Sequence, residues 1–233
     1  MRSGADLGGA RAALLDTSVA ALLDVGGDRL SPSYRRAAAR YRYGPGVCKV
    51  DWALSGPVPW AAESARRATT VHVGGTFEEV ADAEAQVAAG RHPERPFVIC
   101  VQAATADPTR APSGAATLWA YCHVPSGSDR DATAEIEAQV ERFAPGFSDL
   151  VVARRTTTAA QYPAHNPNYV GGDINGGAGD LRQLLFRPVA RWNPYRAAPG
   201  LYLCSSATPP GGGVHGMSGV HAARTALADL RHS

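Results

Sequence analysis

Leu201-Tyr202-Leu203-Cys204 leads into Ser205-Ser206-Ala207-Thr208-Pro209-Pro210-Gly211-Gly212-Gly213-Val214-His215-Gly216-Met217-Ser218-Gly219, and this is the stretch on which the fold turns. It reads as a short apolar strand and a glycine-rich loop. A helix follows from Val220 to Leu230, with Val220, Ala223, Leu227 and Leu230 at helical spacing. Glycines let backbone approach a ligand closely, and the open N–H groups of a helix start favour negative charge. The arrangement predicts an electron-rich ligand at this loop.

Three familiar motifs fail here. Gly211, Gly213 and Gly216 match G-x-G-x-x-G, but a dinucleotide fingerprint opens a βαβ unit with an acidic residue about 20 positions on. Only 17 residues follow Gly216, too few for that strand. Gly216-Met217-Ser218-Gly219-Val220 misses the nucleophile elbow, since Val220 stands where a glycine is needed. A Walker-type phosphate loop is excluded because the one lysine, Lys49, follows no Gly-rich stretch. Schiff-base chemistry would also fall on Lys49, inside an apparent strand.

Working back from the loop, the chain alternates strands and helices without a fixed repeat. Residues 10–25 read as an apolar run, a turn at Asp16-Thr17-Ser18 and a helix that the turn caps. Ser33 to Arg40 reads as helix. Val47 to Leu54 and Thr70 to Val73 read as strands punctuated by glycine. Phe77 to Ala89 runs at helical spacing, with Phe77, Val80, Ala81, Ala85 and Ala88 expected on the buried face and Glu84 toward solvent; Gly90 stops it. Phe97 to Val101 and Thr117 to Val124 are expected as neighbouring antiparallel strands. Thr133 to Phe143 is an amphipathic helix and Leu150 to Ala153 a further strand. From Tyr162 to Gly177 proline, asparagine and glycine dominate, and so long an irregular stretch reads as functional. Asp180 to Phe186 reads as a helical turn or two.

Composition sets outer bounds. The 233 residues are 45% hydrophobic, enough for a core, and 23 Lys+Arg against 21 Asp+Glu give a formal net charge of +2. That balance lacks the basic footprint of a nucleic-acid binder. Cys48, Cys100, Cys122 and Cys204 lie far apart without a CxxC pair, which predicts neither a zinc site nor a disulfide framework and fits a cytoplasmic setting. Met1 to Asp6 has no apolar core of a leader, and no stretch of about 18 apolar residues predicts a membrane span.

The run Gly200 to Arg224 resembles the C-terminal flavin-binding segment of the phytoene desaturase-like FAD-dependent oxidoreductases of the amine oxidase superfamily. More narrowly, it resembles the pyridine nucleotide-disulphide oxidoreductase domain-containing protein 2 group. Tyr41 to Leu54, Trp119 to Val124 and Asn166 to Gly177 resemble the same group, in the order of its second half. The resemblance implies an α/β (α+β) chain that is the C-terminal portion of a glutathione-reductase-like two-domain FAD fold. Its parts would be a cofactor-domain segment at 1–30, a substrate domain with a mixed or antiparallel sheet at 31–195, and a returning strand, loop and helix at 196–233.

It further implies FAD as cofactor, bound by Ser206, Gly211, Gly212, Gly213, Val214, His215, Gly216 and Met217, with no metal and no assigned catalytic side chain. Where the wider superfamily places Gly-Asp or Gly-Glu, this chain has Ser205-Ser206. The family's N-terminal βαβ unit, which binds the ADP half of FAD, has no counterpart, so a fragment or one half of a split enzyme is expected. The implied activity is hydride transfer from an apolar, polyene- or lipid-like substrate to flavin. The alternative is a substrate-domain remnant acting as a binding or interaction module. Partners left open are a membrane surface touched peripherally, a second copy, and a separate chain carrying the ADP-binding half; nucleic acid is not expected.

Other residues carry blander expectations. The His215 ring is expected to pack against the substrate domain, and His165 to be solvated. Asp51 is read as bonded to arginine or backbone, and His72 and His123 as structural. Trp52, Trp60, Trp119 and Tyr121 are weighed as a substrate wall and read chiefly as core. Asp173 and Asn175 are read as shaping their loop.

Overall fold

The computed structural model describes residues 9–231. The reading of Met1 to Asp6 lies outside the described residues, as does the first part of the 1–30 segment. Contacts divide the chain into two compact units, residues 1–44 with 163–233 and residues 45–162.

The first unit is built on a three-stranded sheet. β1 (Ala13–Leu15) is followed by α1 (Val19–Gly26) and α2 (Pro32–Ala38). Ser18 caps α1, its hydroxyl accepting from Ala21 N–H at 3.1 Å, and Ser31 caps α2 ahead of Pro32 at its first position.

The second unit carries β2 (Gly46–Leu54), α3 (Glu63–Arg67), β3 (Thr70–Val73), α4 (Phe77–Ala88), β4 (Val98–Val101), β5 (Ala116–Val124), α5 (Thr133–Phe143) and β6 (Val151–Thr157). α6 (Tyr162–His165) spans the crossing back, and the first unit resumes with α7 (Leu181–Phe186), β7 (Arg196–Ala198), β8 (Leu201–Leu203) and α8 (Met217–Arg231).

In the second unit the order is β3-β4-β5-β2-β6, every neighbour antiparallel, and the expected pairing of β4 with β5 is observed. Alternation decides its faces. Cys48, Val50, Trp52 and Leu54 of β2 and Leu118, Ala120, Cys122 and Val124 of β5 point into a core completed by Ile136 and Val140 of α5. Lys49, Asp51, Trp119, Tyr121 and His123 lie on the other face, half-buried. In the first unit β8 lies between β1, parallel to it, and β7, antiparallel. The α/β class with one mixed and one antiparallel sheet is as the sequence predicts.

The unit boundaries fall inside the stretch 31–195 expected to be one domain. Tyr34 and Ala38 of α2 share a core with Leu22, Leu30, Leu201 and Leu203, so 31–44 packs with β1 and β8. The 163–195 stretch is tied there too, through Gly44 N–H to Asp173 and through Gln183 to Arg42.

Two helix faces also differ from expectation. α4 buries Ala83 and Val87 while Phe77 is 82% exposed, and the Glu84 carboxylate accepts from His123 Nδ1 at 2.8 Å. α8 begins at Met217 and buries Ser218, Ala222 and Ala226, leaving Val220 and Leu227 outward. Small residues win these inward positions because they let a helix approach its sheet closely, and alanine-rich helices give little hydrophobic contrast to reveal the turn of the face.

Candidate functional site

β1 and β8 run parallel with Leu14 opposite Tyr202 and Leu15 opposite Leu203, so their carboxyl ends open to one place. Parallel sheets bind ligands beyond those ends, where loops diverge and helix starts converge. Here Asp16-Thr17-Ser18 leaves β1, and Ser205-Ser206-Ala207 follows β8 and Cys204. Together with Asn166, Asn168, Tyr169 and the loop at Asp173 to Gly176 they line a polar cavity of about 240 Å³. Ser18 N–H donates to Asn168 Oδ1 at 2.8 Å, fixing one wall. Thr17 Oγ1 is buried and has no hydrogen-bond partner, an orphan hydroxyl that a polar ligand would satisfy.

The loop wall is held by Asp173, which is 1% exposed. Its Oδ2 accepts from Gly44 N–H at 2.7 Å and Gly177 N–H at 2.8 Å; its Oδ1 accepts from Asn175 N–H at 2.7 Å and Gly176 N–H at 3.1 Å. Asp173 therefore shapes its loop. Gly176 sits at φ +74°, and a Cβ there would lie 2.3 Å from Ser206 Oγ, so the loop and the β8 turn touch where only glycine fits. Tyr41 Oη donates to Gly176 O at 2.6 Å. Burial pushes the Tyr41 phenol up to about 12, with the Arg187 guanidinium pulling it back, and the hydroxyl stays a donor.

Arg187 is 3% exposed and donates to Ser206 O at 2.9 Å and Ala178 O at 3.2 Å, joining the same two segments from behind; its Nε has no partner.

The glycine loop continues from this wall. Thr208 N–H and Oγ1 donate back to Ser205 O at 2.9 and 2.8 Å. Ser218 Oγ donates to Thr208 O at 3.4 Å and to Pro209 O at 3.3 Å, seating α8 on the turn. Gly211 is buried against Arg187, where a Cβ would meet Nη1 at 3.3 Å. Gly212 to Gly216 are exposed and lead into α8. The His215 ring caps this helix, its Nδ1 accepting from Met217 N–H at 3.0 Å, which puts the proton of the neutral ring on Nε2. The expectation that this ring packs against the substrate domain is corrected: it is a local cap, and His215 is exposed.

Of the residues the sequence singled out, Ser206 lines the cavity and Gly211 supports it from behind. Gly212, Gly213, Val214, His215, Gly216 and Met217 form the exposed loop and helix start and do not line it. Sequence reasoning missed Thr17, Asn168, Tyr41 and Arg187. In sequence Asp16-Thr17-Ser18 signals only a turn and cap, since a parallel partner some 190 residues away leaves no local signal.

Elsewhere, Trp52 and Trp60 are core, their indoles donating to Glu137 and Gln102 at 2.8 and 2.9 Å. Trp119 and Tyr121 are half-buried and stacked, and Asp51 pairs with Lys49, not with arginine. His72 and His165 are exposed. No group of three His, Cys, Asp or Glu residues suited to a metal converges among the described residues.

No protein-family model matches the chain. Over 95 residues, 40% of its length, it is 42% identical to pyridine nucleotide-disulfide oxidoreductase domain-containing protein 2 of Mus musculus, and equally to that of Rattus norvegicus; the match spans 16% of each relative. Among solved structures, an oxidoreductase from Methanosarcina mazei superposes with a TM-score of 0.55 at 14% identity, and a redesigned putrescine oxidase with 0.55 at 12%. Each comparison covers 94% of this chain and 42% of the other. The chain thus resembles pyridine nucleotide-disulfide oxidoreductase domain-containing protein 2 in sequence over that stretch, and has the fold of a part of these larger oxidoreductases.

Proposed function

We propose that the chain is the C-terminal part of an FAD-dependent oxidoreductase of phytoene desaturase-like type. The observation that carries this is the hydroxyl- and amide-lined cavity at the carboxyl ends of the parallel pair β1–β8. It has an orphan Thr17 hydroxyl, and a glycine loop delivers a helix start next to it in sequence.

The residues present fit one end of such a cofactor. Thr17, Ser205 and Ser206 offer hydroxyls to its sugar-alcohol and phosphate portion, in place of the acid that relatives in the superfamily use. The exposed backbone of Gly212 to Gly216 and the positive end of α8 suit its electron-rich ring edge. The bound flavin would supply the redox chemistry, taking hydride from an apolar, polyene- or lipid-like substrate. The chain's own residues bind and orient: Asp173 fixes the loop wall, Arg187 ties that wall to Ser206, and His215 holds the first turn of α8. No side chain is assigned as acid or base.

Among the described residues no βαβ unit carries a glycine-rich first turn, so the ADP end of the cofactor is assigned to further polypeptide. The four free cysteines support a reducing, cytoplasmic compartment. No helix among the described residues is long and apolar enough to cross a membrane.

A second reading, a binding or interaction module without chemistry of its own, is favoured by outward Leu14, Val220 and Leu227 in the first unit. The visible spectrum of the purified chain, before and after incubation with FAD and removal of free flavin, separates the two. A retained band near about 450 nm supports the cofactor reading. No band in either sample, with self-association by light scattering, supports the module.

A further inference from the structure

Three of the chain's four cysteines lie in the core of the second unit, Cys48 in β2, Cys100 in β4 and Cys122 in β5, and all are free thiols. β2 and β5 pair without a register break from Gly46 opposite Val124 to Leu54 opposite Ala116, and within that ladder Cys48 stands directly opposite Cys122. Directly opposed residues of an antiparallel pair have Cα atoms about 4.5–5.5 Å apart and side chains on one face, inside the window of about 4.4–6.8 Å that a disulfide spans. Cys100 is placed otherwise. Its opposite number in β5 is Ala120, while Cys122 faces Val98, so Cys100 and Cys122 are diagonal neighbours. A diagonal separation of about 7–8 Å is not bridged without backbone movement. The register singles out one pair of the three.

Burial pushes the Cys48 and Cys122 thiols up, so the closed fold holds both protonated and inert. The start of α5 covers Cys48, whose Sγ accepts from Ala132 N–H at 3.5 Å. Ala132 occupies the N-cap position of α5 and offers no side-chain acceptor there. Alanine is a poor N-cap, and what ties this turn instead is exposed Asp131, accepting from Thr133 N–H at 2.8 Å, with the Thr133 hydroxyl against that of Thr156 at 2.6 Å. A helix start so held opens at lower cost than the sheet beneath it separates, and its opening uncovers Cys48.

We propose that Cys48 and Cys122 form a latent dithiol clamp, which hydrogen peroxide closes into a disulfide across β2 and β5 when the first turn of α5 opens. The Cys48 sulfur attacks one peroxide oxygen and the O–O bond breaks; the departing hydroxide leaves as water with the thiol proton, and Cys48 becomes a sulfenic acid. The Cys122 sulfur then displaces the hydroxyl, which takes the Cys122 proton and leaves as the second water. Two electrons pass from the sulfurs to the peroxide, and the products are one disulfide and two waters. The bridge ties two central strands across the chain between them and so disfavours unfolding. The inference does not depend on flavin binding.

The full chain is treated with hydrogen peroxide, remaining thiols are blocked, and intact mass and unreduced peptide maps are recorded. The expected product has lost two hydrogen masses and yields one cross-linked peptide joining Cys48 to Cys122, whose pairing is decided on the parent chain whether or not core variants fold. The bridge is absent in Cys48→Ala and Cys122→Ala and present in Cys100→Ala and Cys204→Ala. Asp131→Ala, at an exposed position, loosens the turn and is expected to speed closure about fivefold without changing the pair. The oxidised chain is cleaved by protease more slowly than the reduced one, and dithiothreitol reverses both changes. A bridge through Cys100, a bridge between chains through Cys204 alone, or sulfinic acid at Cys48 in place of a bridge overturns the proposal. So do thiols that stay reduced in both the parent and Asp131→Ala, and an internal bridge that leaves proteolysis unchanged.

Discussion

Replacing Asp173 tests the account of the cavity wall most directly. Its carboxylate accepts four backbone N–H groups, two of them buried, from Gly44 and Gly177, and two part-buried, from Asn175 and Gly176. In Asp173→Ala the part-buried donors are reached by water from the adjacent cavity, and their loss costs little. The two buried donors lose a charged acceptor and stay desolvated, at about 1–3 kcal/mol each. The sum is about 4 kcal/mol, or roughly a thousandfold in the local opening equilibrium, since each 1.4 kcal/mol is about tenfold. Asp173→Asn keeps one carbonyl acceptor but turns the other oxygen into a donor aimed at donors. It should satisfy one pair only and cost about 2 kcal/mol.

Amide hydrogen exchange reads this at the atoms concerned. The amides of Gly44, Asn175, Gly176 and Gly177 are expected to exchange much faster in the Ala variant and by an intermediate factor in the Asn variant. If exchange at Gly44 and Gly177 stays within about threefold of the parent, or the Asn variant opens more than the Ala variant, Asp173 does not hold the loop and the reasoning fails.

Three further outcomes follow from the same geometry. Gly176→Ala places a Cβ at φ +74° and 2.3 Å from Ser206 Oγ, which should cost about 1–2 kcal/mol and lower Tm by several degrees, with reduced flavin retention if the proposed site is right. Gln102→Leu removes the acceptor of Trp60 Nε1 and the donor to Ala65 O and Ala68 O at 2.7 and 2.5 Å, and should cost about 2–4 kcal/mol by urea unfolding followed by tryptophan fluorescence. Glu79, hydrogen-bonded to Arg142 and closing a capping box with Thr76, has its carboxyl lowered from 4.5 to about 2. Its contribution is present above about pH 4.5 and lost as pH falls through about 2, so Glu79→Gln should flatten the stability profile between those values and leave its shape above pH 5 unchanged.

How legible a feature was depended on how local its cause is. The strands of the second unit announce themselves, because β2 and β5 alternate apolar and polar residues along their own length and glycine or proline bounds them. The cap at Ser18 is likewise short-range chemistry. The inward faces of α4 and α8 are poorly marked in sequence, because small residues, Ala83 in α4 and Ser218, Ala222 and Ala226 in α8, hold positions that packing distance rather than hydropathy selects. Glu84 was placed toward solvent by its charge alone, whereas the structure gives it the ring of His123. The resemblance implies domain edges at 30 and 195, whereas the compact units divide at 44 and 162, a grouping set by long-range contacts such as those of Tyr34 and of the Asp173 loop.

The site shows the same rule from the opposite side. The glycine loop was readable because a strand, glycines and a helix follow one another in sequence, and a helix start has a charge preference of its own. The cavity was not, because it exists only once β1 and β8 lie parallel, an event that brings Thr17 to Ser205 across the greater part of the chain. Arg187 is the sharpest case. In sequence it is one arginine among many in an arginine-rich segment, and nothing nearby demands that it be buried. In the fold it is nine-tenths and more hidden, donates to the carbonyls of Ser206 and Ala178, and abuts Gly211. A cation so placed is tolerated only where several fixed carbonyl dipoles converge on it, and those carbonyls belong to the two loops that form the cavity. The charge thus reports the meeting of the loops, and no window of sequence contains both.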